Sequence, residues 1–197
     1  MNRAAIGFRV HSGWAAMVAV SLQKGAPVVL HRRKLLLVKT FSYTFRQPYH
    51  TAEKMPVAEA AEFVKAVEKE SQELALTGIR ALRKELEAVD YRLCGCALLL
   101  ASGRKLPEFE KILASHALIH TADGELFRES IRHACNGAKV SVAALKERDL
   151  MAAASQRLKK RPEFLNRTVT ALGKSLGPPW TQDEKLATLA AWLTLAS

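Results

Sequence analysis

The chain has 197 residues, 49% of them hydrophobic, so it can bury a core without covalent staples and is one domain or at most two. Three cysteines exclude a disulfide framework. There is no signal-peptide pattern and no apolar run approaching the ~20 residues of a membrane span, so a soluble cytoplasmic protein is expected. The net charge is +11 and no Asp or Glu precedes Glu53, which points to a polyanionic partner, nucleic acid before an anionic membrane surface; the plainer reading is a solvated basic face.

Ala4–Val10, Trp14–Leu22 and Val28–Val38 read as three consecutive antiparallel strands. His11-Ser12-Gly13 and Gln23-Lys24-Gly25-Ala26-Pro27 supply turn residues between them. Thr40 to Met55 reads as a loop. Pro56 to Ala88 is a helix: Pro56 suits its start, and Val57, Ala60, Ala61, Val64 and Val67 share a face that Ile79, Leu82 and Leu86 continue. Thr77-Gly78 is a candidate bend. Tyr91–Ala101 is an apolar run of strand length, the pattern of a strand covered on both faces with a parallel neighbour. Two helices follow, about Pro107–Ser115 and Asp123–Asn136, the second stopped by Gly137. Lys139–Ala144 reads as another parallel strand, Ala144–Leu158 and Glu163–Leu176 as helices, with Lys159-Lys160-Arg161-Pro162 a basic break between them. The last helix starts at Thr181, where Thr181-Gln182-Asp183-Glu184 has the form of a capping box. There is no internal repeat, and a single domain over 1–197 is expected.

Several motifs admit a chemical reading beside a plain one. Cys94 and Cys96, taken as neighbours on one strand face, would with His133 and Cys135 make four zinc ligands; a C-x-C on a buried strand is more simply two small core residues. His116 and His120 have helical i,i+4 spacing but lack the acidic base of a metalloprotease motif. No phosphate-binding G-x-x-x-x-G-K-[ST] and no G-x-S-x-G nucleophile motif occurs. On the strand segment His31-Arg32-Arg33-Lys34, His31 shares a face with Arg33, and Arg32 with Lys34. Trp14, Trp180 and Trp192 read as core anchors, with Trp180 the most exposed.

Three antiparallel strands leading into right-handed crossovers make a ribonuclease H-like α/β order, helices on both faces. Ile6-Gly7-Phe8-Arg9 followed by Ser12-Gly13-Trp14-Ala15 resembles the first strand and hairpin of RuvC-type Holliday junction resolvases. Val140 to Leu158 resembles their fifth strand and following segment, and Thr181 to Ala196 their closing helix. The resemblance implies a two-metal phosphodiesterase with an Asp from the first strand, a Glu from the fourth and two acids from the last helix, because hard divalent cations need clustered oxygen ligands. Here the first position falls at Arg9 and the fourth strand carries no acid. Asp183 matches one acid of the closing helix, the second falls near Leu186, and Glu184 sits beside Asp183.

The expected function is therefore nucleic-acid binding by a RuvC-like protein that has lost most of its catalytic carboxylates. Arg9, His11, Arg32, Lys34, Arg104, Lys105, Lys159, Lys160 and Arg161 are the candidate contacts. Arg9 has a second reading as an ion-pair partner of Asp183 that replaces the metals. Asp183 and Glu184 form the residual site, more simply read as acids matching the helix dipole. No cofactor or metal is expected, with Mg²⁺ needed only if a nuclease site has been rebuilt around Asp183, Glu184, Glu147 and Asp149. A protein–protein scaffold is the rival from another class. Nucleic acid is the expected partner, a membrane is not, and a homodimer is compatible with the reading.

Overall fold

A computed structural model describes residues 1–101 and 105–196. Among them, five strands make one mixed sheet in the order β3-β2-β1-β4-β5. β1 (Asn2–His11), β2 (Trp14–Gln23) and β3 (Ala26–Leu36) are joined by hairpins and pair antiparallel. The second hairpin turns on Lys24 and Gly25 alone, both with positive φ, the two-residue geometry that matches strand twist. β4 (Tyr91–Leu100) lies parallel to β1, and β5 (Val142–Lys146) parallel to β4. The expected ribonuclease H-like order of antiparallel hairpins followed by parallel crossovers is the one found.

Strand alternation assigns the two faces. Ile6, Phe8, Met17, Leu35, Cys96 and Leu98 face α3 (Val57–Ala88) and α5 (His116–Gly137), which bury Val64, Ile79, Leu82, Phe127 and Ile131 against them. Ala5, Val18, Val20, Ala97 and Leu99 face α8 (Gln182–Leu195), with α6 (Leu150–Leu158) and α7 (Pro162–Leu176) outside it. The apolar run of β4 is buried on both faces, as its composition predicts. The Thr181 capping box closes as read: the Thr181 N–H donates to Glu184 Oε2 at 2.7 Å and the Thr181 hydroxyl accepts from the Asp183 N–H at 3.2 Å.

Several boundaries differ from the sequence reading. The Thr40–Met55 loop contains two short helices, α1 (Tyr43–Arg46) and α2 (Pro48–Ala52), each too short to show a hydrophobic period. α3 runs unbroken through Thr77-Gly78. Gly78 is instead a point of close approach, because a Cβ there would overlap the end of the Leu35 side chain. α4 is only Phe109–Leu113, and α5 begins at His116 rather than Asp123, so Asp123 lies inside the helix and is buried. β5 lies at Val142–Lys146 rather than Lys139–Ala144, and a 3-10 turn over Glu147–Asp149 delays α6 to Leu150. An Ala-rich stretch suits strand and helix alike; pairing with Cys96–Leu100 decides it.

Cys94 and Cys96 do not share a face. A bulge in β4, opposite Ala4 and Ala5 of β1, inserts one residue and shifts the alternation. Cys94 packs on the α8 side and Cys96 on the α5 side, so the four-ligand zinc set is not assembled. A hydrogen bond with Cys135, together with burial, pushes the Cys96 thiol well above its ordinary pKa, which suits a core thiol and not a metal-binding thiolate. Trp180 is half-buried, donating its indole N–H to the Val169 carbonyl at 2.8 Å, and Trp192 is buried.

The layers approach closely at Gly7, where a Cβ would overlap the backbone carbonyl of Ala187 in α8. Gly7→Ala is expected to lower the unfolding free energy by about 3 kcal/mol, the upper part of the range for overpacking against immovable backbone. Gly78→Ala should cost less than about 1 kcal/mol, since the Leu35 end can rotate and Ala favours the helix. Urea unfolding of the two variants against wild type measures both.

Candidate functional site at the carboxyl ends of the parallel strands

The carboxyl ends of β1, β4 and β5 lie side by side, the place where open α/β sheets bind ligands. Alternation puts Arg9 and His11 on the α8 face, the side that carries Gly7. The close approach that Gly7 allows brings the first turn of α8 over the end of β1, and β5 delivers Glu147 from the other side.

The three elements meet at Arg9. Its Nε and Nη2 donate to the two oxygens of Glu147 at 2.8 and 2.9 Å, and its Nη1 donates to Asp183. His11 Nε2 lies 2.8 Å from Asp183 Oδ1, and the imidazole stacks on Trp14 with centroids 4.4 Å apart. The Arg9 side chain is 24% exposed and that of Asp183 19%. The bond to Glu147 is the largest influence on Arg9 and raises its pKa against burial, with Asp183 adding to the effect. Burial disfavours the charged form of Asp183, but hydrogen bonds from Arg9 and His11 outweigh it and hold the carboxyl below its ordinary 3.8.

Two Mg²⁺ ions do not fit this donor set. Glu147 and Asp183 converge, but on a guanidinium that already occupies their oxygens. β4 brings Ala101 to the cleft and α8 brings Leu186, neither with an oxygen ligand in its side chain. Glu184 is turned into the capping box, and Asp149 lies 3.6 Å from Arg148. Among the described residues, the four-residue rebuilt set of Asp183, Glu184, Glu147 and Asp149 therefore does not close around one point.

The cleft beside Arg9 has a volume of about 660 Å³, and its lining includes His11, Arg128, Arg148 and Gln182. Arg128 is anchored by Glu125 at 2.9 Å. On the β2–β3 side of His11 a layered group of cations and rings continues the surface. Lys34 Nζ is 4.6 Å from the centroids of both Trp14 and Phe41, and the Arg46 guanidinium is 4.5 Å from that of Phe41. Arg46 also donates to the Ser12 carbonyl at 3.2 Å. Phe41 and Tyr43 are exposed.

The remaining sequence candidates are dispersed. Arg32 turns inward: its terminal nitrogens donate to the carbonyls of Leu176, Gly177, Pro178 and Pro179, which anchors the end of α7 to β3. His31 and Arg33 share the opposite face and meet Glu85 of α3. Lys105 is exposed, and Arg104 lies outside the described residues. Lys159, Lys160 and Arg161 are exposed on the turn between α6 and α7. They line a groove of about 600 Å³ with Phe164 and Arg167, and Lys160 Nζ is 5.2 Å from the Phe164 ring centroid. The expected Arg9–Asp183 pair is present. Glu147 as the bidentate partner of Arg9 is new, as are Arg128 and Arg148 in the cleft lining and Arg46 beside Phe41. No local pattern marks them, because their neighbours come from distant parts of the chain.

No family model matches the chain, and no curated protein matches it in sequence. Among solved structures it is similar to the Thermus thermophilus RuvC structure, with a TM-score of 0.54 and 12% identity over 98% of this chain and 93% of that one. It is also similar to T. thermophilus RuvC in complex with Holliday junction substrate, with a TM-score of 0.53 and 11% identity over the same shares. The fold is thus the RuvC-like, ribonuclease H-like one that the first hairpin and closing helix suggest.

The depressed pKa of Asp183 sets a pH dependence. The folded value lies below the unfolded one, so its contribution is complete above 3.8 and is lost as pH falls through the folded value. Asp183→Asn is expected to lower the unfolding free energy by about 1.5 kcal/mol at pH 7, the scale of a hydrogen bond to a charged group. The gap to wild type should narrow as pH falls below 3.8. Denaturant titrations across that interval check it.

Proposed function

We propose that this chain is a catalytically degenerate RuvC-like protein that binds nucleic acid through its phosphates and does not hydrolyse it. The observation that carries the reading is the Arg9 guanidinium held by Glu147 and Asp183. A cation stands where the resemblance calls for metal-binding acids, and the same cleft adds Arg128 and Arg148. With its carboxylate oxygens taken by Arg9, the cleft offers no free ligands for a metal that would activate water against a phosphodiester.

Arg9 and Arg32 spend their donors inside the chain, so the direct contacts fall to cations that face outward: Lys34, Lys105, Arg148, Lys159, Lys160 and Arg161. Phe41, Tyr43 and Phe164 stand exposed, the first and last beside cations, and offer stacking surfaces for unpaired bases. The described structure of T. thermophilus RuvC with a Holliday junction substrate makes branched DNA the first shape to try. A scaffold role is the second reading. It draws on an apolar groove of about 550 Å³ between β5 and α8, lined by Ala143, Ala144, Ala190 and Leu193.

Anisotropy titrations with a four-way junction, duplex, single-stranded DNA and RNA test the proposal. Affinity is expected to fall steeply with salt, and replacing Lys159, Lys160 and Arg161 together by Gln should reduce the slope of log K against log[salt] by about 2 to 3. A parallel gel with Mg²⁺ should show no cleavage. Absence of binding to all four at low salt would overturn the proposal in favour of the scaffold. Mg²⁺-dependent cleavage that Asp183→Asn abolishes would overturn its non-hydrolytic part.

A further inference from the structure

Three of the six histidines, on two different elements, meet on the α5 side of the sheet. His50 comes from α2, and His116 and His120 occupy successive turns of α5 on one face. One ring nitrogen from each lies within 4.8 Å of the others, and the Nε2 atoms of His116 and His120 are 3.1 Å apart. The rings meet edge-on, with centroids 4.4 to 5.4 Å apart.

We propose that His50, His116 and His120 form a binding site for a divalent transition metal, with Zn²⁺ the ion it fits best. Tetrahedral Zn²⁺ with Zn–N bonds of ~2.0–2.1 Å places its ligand nitrogens ~3.3–3.4 Å apart. The His116–His120 pair is already near that spacing, and the His50 nitrogen lies within 4.8 Å of both, a span that side-chain adjustment can close. The donor set is neutral imidazole, which suits Zn²⁺, Cu²⁺ or Ni²⁺ and not Mg²⁺ or Ca²⁺.

A second, independent feature points to a ligand. Asp123 is buried one turn beyond His120, at 3% exposure. It accepts the backbone N–H of Tyr49 at 2.8 Å and also bonds His50 Nδ1. Burial pushes the Asp123 pKa up against the bonds from His50 and Tyr49; in its ionised form the carboxylate can only accept, which puts a proton on His50 Nδ1 and leaves Nε2 as the nitrogen free to bind a metal. This is the carboxylate–histidine arrangement that fixes the tautomer and ring orientation of metal ligands. Holding the start of α2 would need only the bond to Tyr49; the bond to His50 aims an imidazole toward the other two. His116 and His120 are exposed, so a fourth coordination position faces solvent and takes water or an added ligand. The metal would clamp α2 onto α5. It is separate from the Arg9 cleft: His120 and Arg128 are eight residues apart on α5, about 12 Å along its axis.

The test uses the whole chain, stripped with a chelator and titrated with Zn²⁺ in a calorimeter, and with Co²⁺ followed by its visible absorption. Expected are one equivalent of Zn²⁺, a tetrahedral or five-coordinate Co²⁺ spectrum and a rise in Tm with Zn²⁺. His116→Ala with His120→Ala removes only exposed side chains and should weaken binding at least 100-fold and abolish the Tm rise. Asp123→Asn should weaken it about 10- to 100-fold. His133→Ala, exposed further along α5, should leave it unchanged. Lack of one-equivalent binding, or binding that persists in the double variant, would overturn the proposal. DNA binding that survives metal removal leaves the nucleic-acid reading untouched, so the two can fail separately.

Discussion

One guanidinium ties together three parts of this molecule that the chain order keeps far apart. Arg9 ends the first strand, Glu147 follows the last strand, and Asp183 opens the last helix. Two carboxylates brought this close would repel each other without a counter-charge. A divalent cation supplies it when there are enough acids to bind one; here an arginine supplies it from within the chain. The exchange has a physical consequence. A metal would leave and return with solution conditions, whereas the Arg9 charge is permanent, since a guanidinium stays protonated at any ordinary pH. The ends of β1, β5 and α8 are thereby tied together by an ion-pair cluster internal to the chain.

The rest of the α8 layer follows from the same convergence. Gly7 admits the α8 backbone to β1, which sets the height of Asp183 above Arg9. The capping box then fixes the first turn of α8, so Asp183 arrives in one position rather than an ensemble. Arg32 secures the preceding turn by taking the carbonyls at the end of α7, and Trp180 packs on Gly173 while bonding to Val169. Cations here act both as surface charge and as internal fasteners. Net charge therefore overstates the number available to a partner: Arg9, Arg32 and Arg128 are engaged within the chain, while Lys34, Lys159 and Lys160 stand over aromatic rings or in solvent.

The opposite layer has a different economy of polar groups. α3 and α5 bury long apolar stripes together with the hydroxyls of Ser71 and Ser130, and among the described residues the buried ionisable carboxylate of this layer is Asp123, which bonds Tyr49 and His50. A buried carboxylate is costly unless it is satisfied, and it persists where it orients something. What it orients is a histidine facing two more. The α8 layer neutralises its carboxylates with arginine; the α5 layer uses its carboxylate to present imidazole.

By itself the sequence determined the features that depend on near neighbours. The three hairpin strands, the doubly buried β4, the long α3 and the Thr181 capping box rest on alternation, helical period and local hydrogen bonding, all readable over a few residues. The lack of any acid before Glu53 likewise excluded a carboxylate at the end of β1 in any register. Only the tertiary structure decided what depends on distant partners. A bulge opposite Ala4 and Ala5 separates Cys94 from Cys96, which strict alternation would put together. Pairing with β4 makes Val142–Lys146 a strand although its alanines suit a helix. Glu147 finds Arg9 across 138 positions, and His50 finds His116 and His120 from a stretch that carries no periodic signal. Local chemistry sets which groups the chain possesses; the crossing of β1, β5 and α8, and of α2 with α5, sets which of them can act on one another.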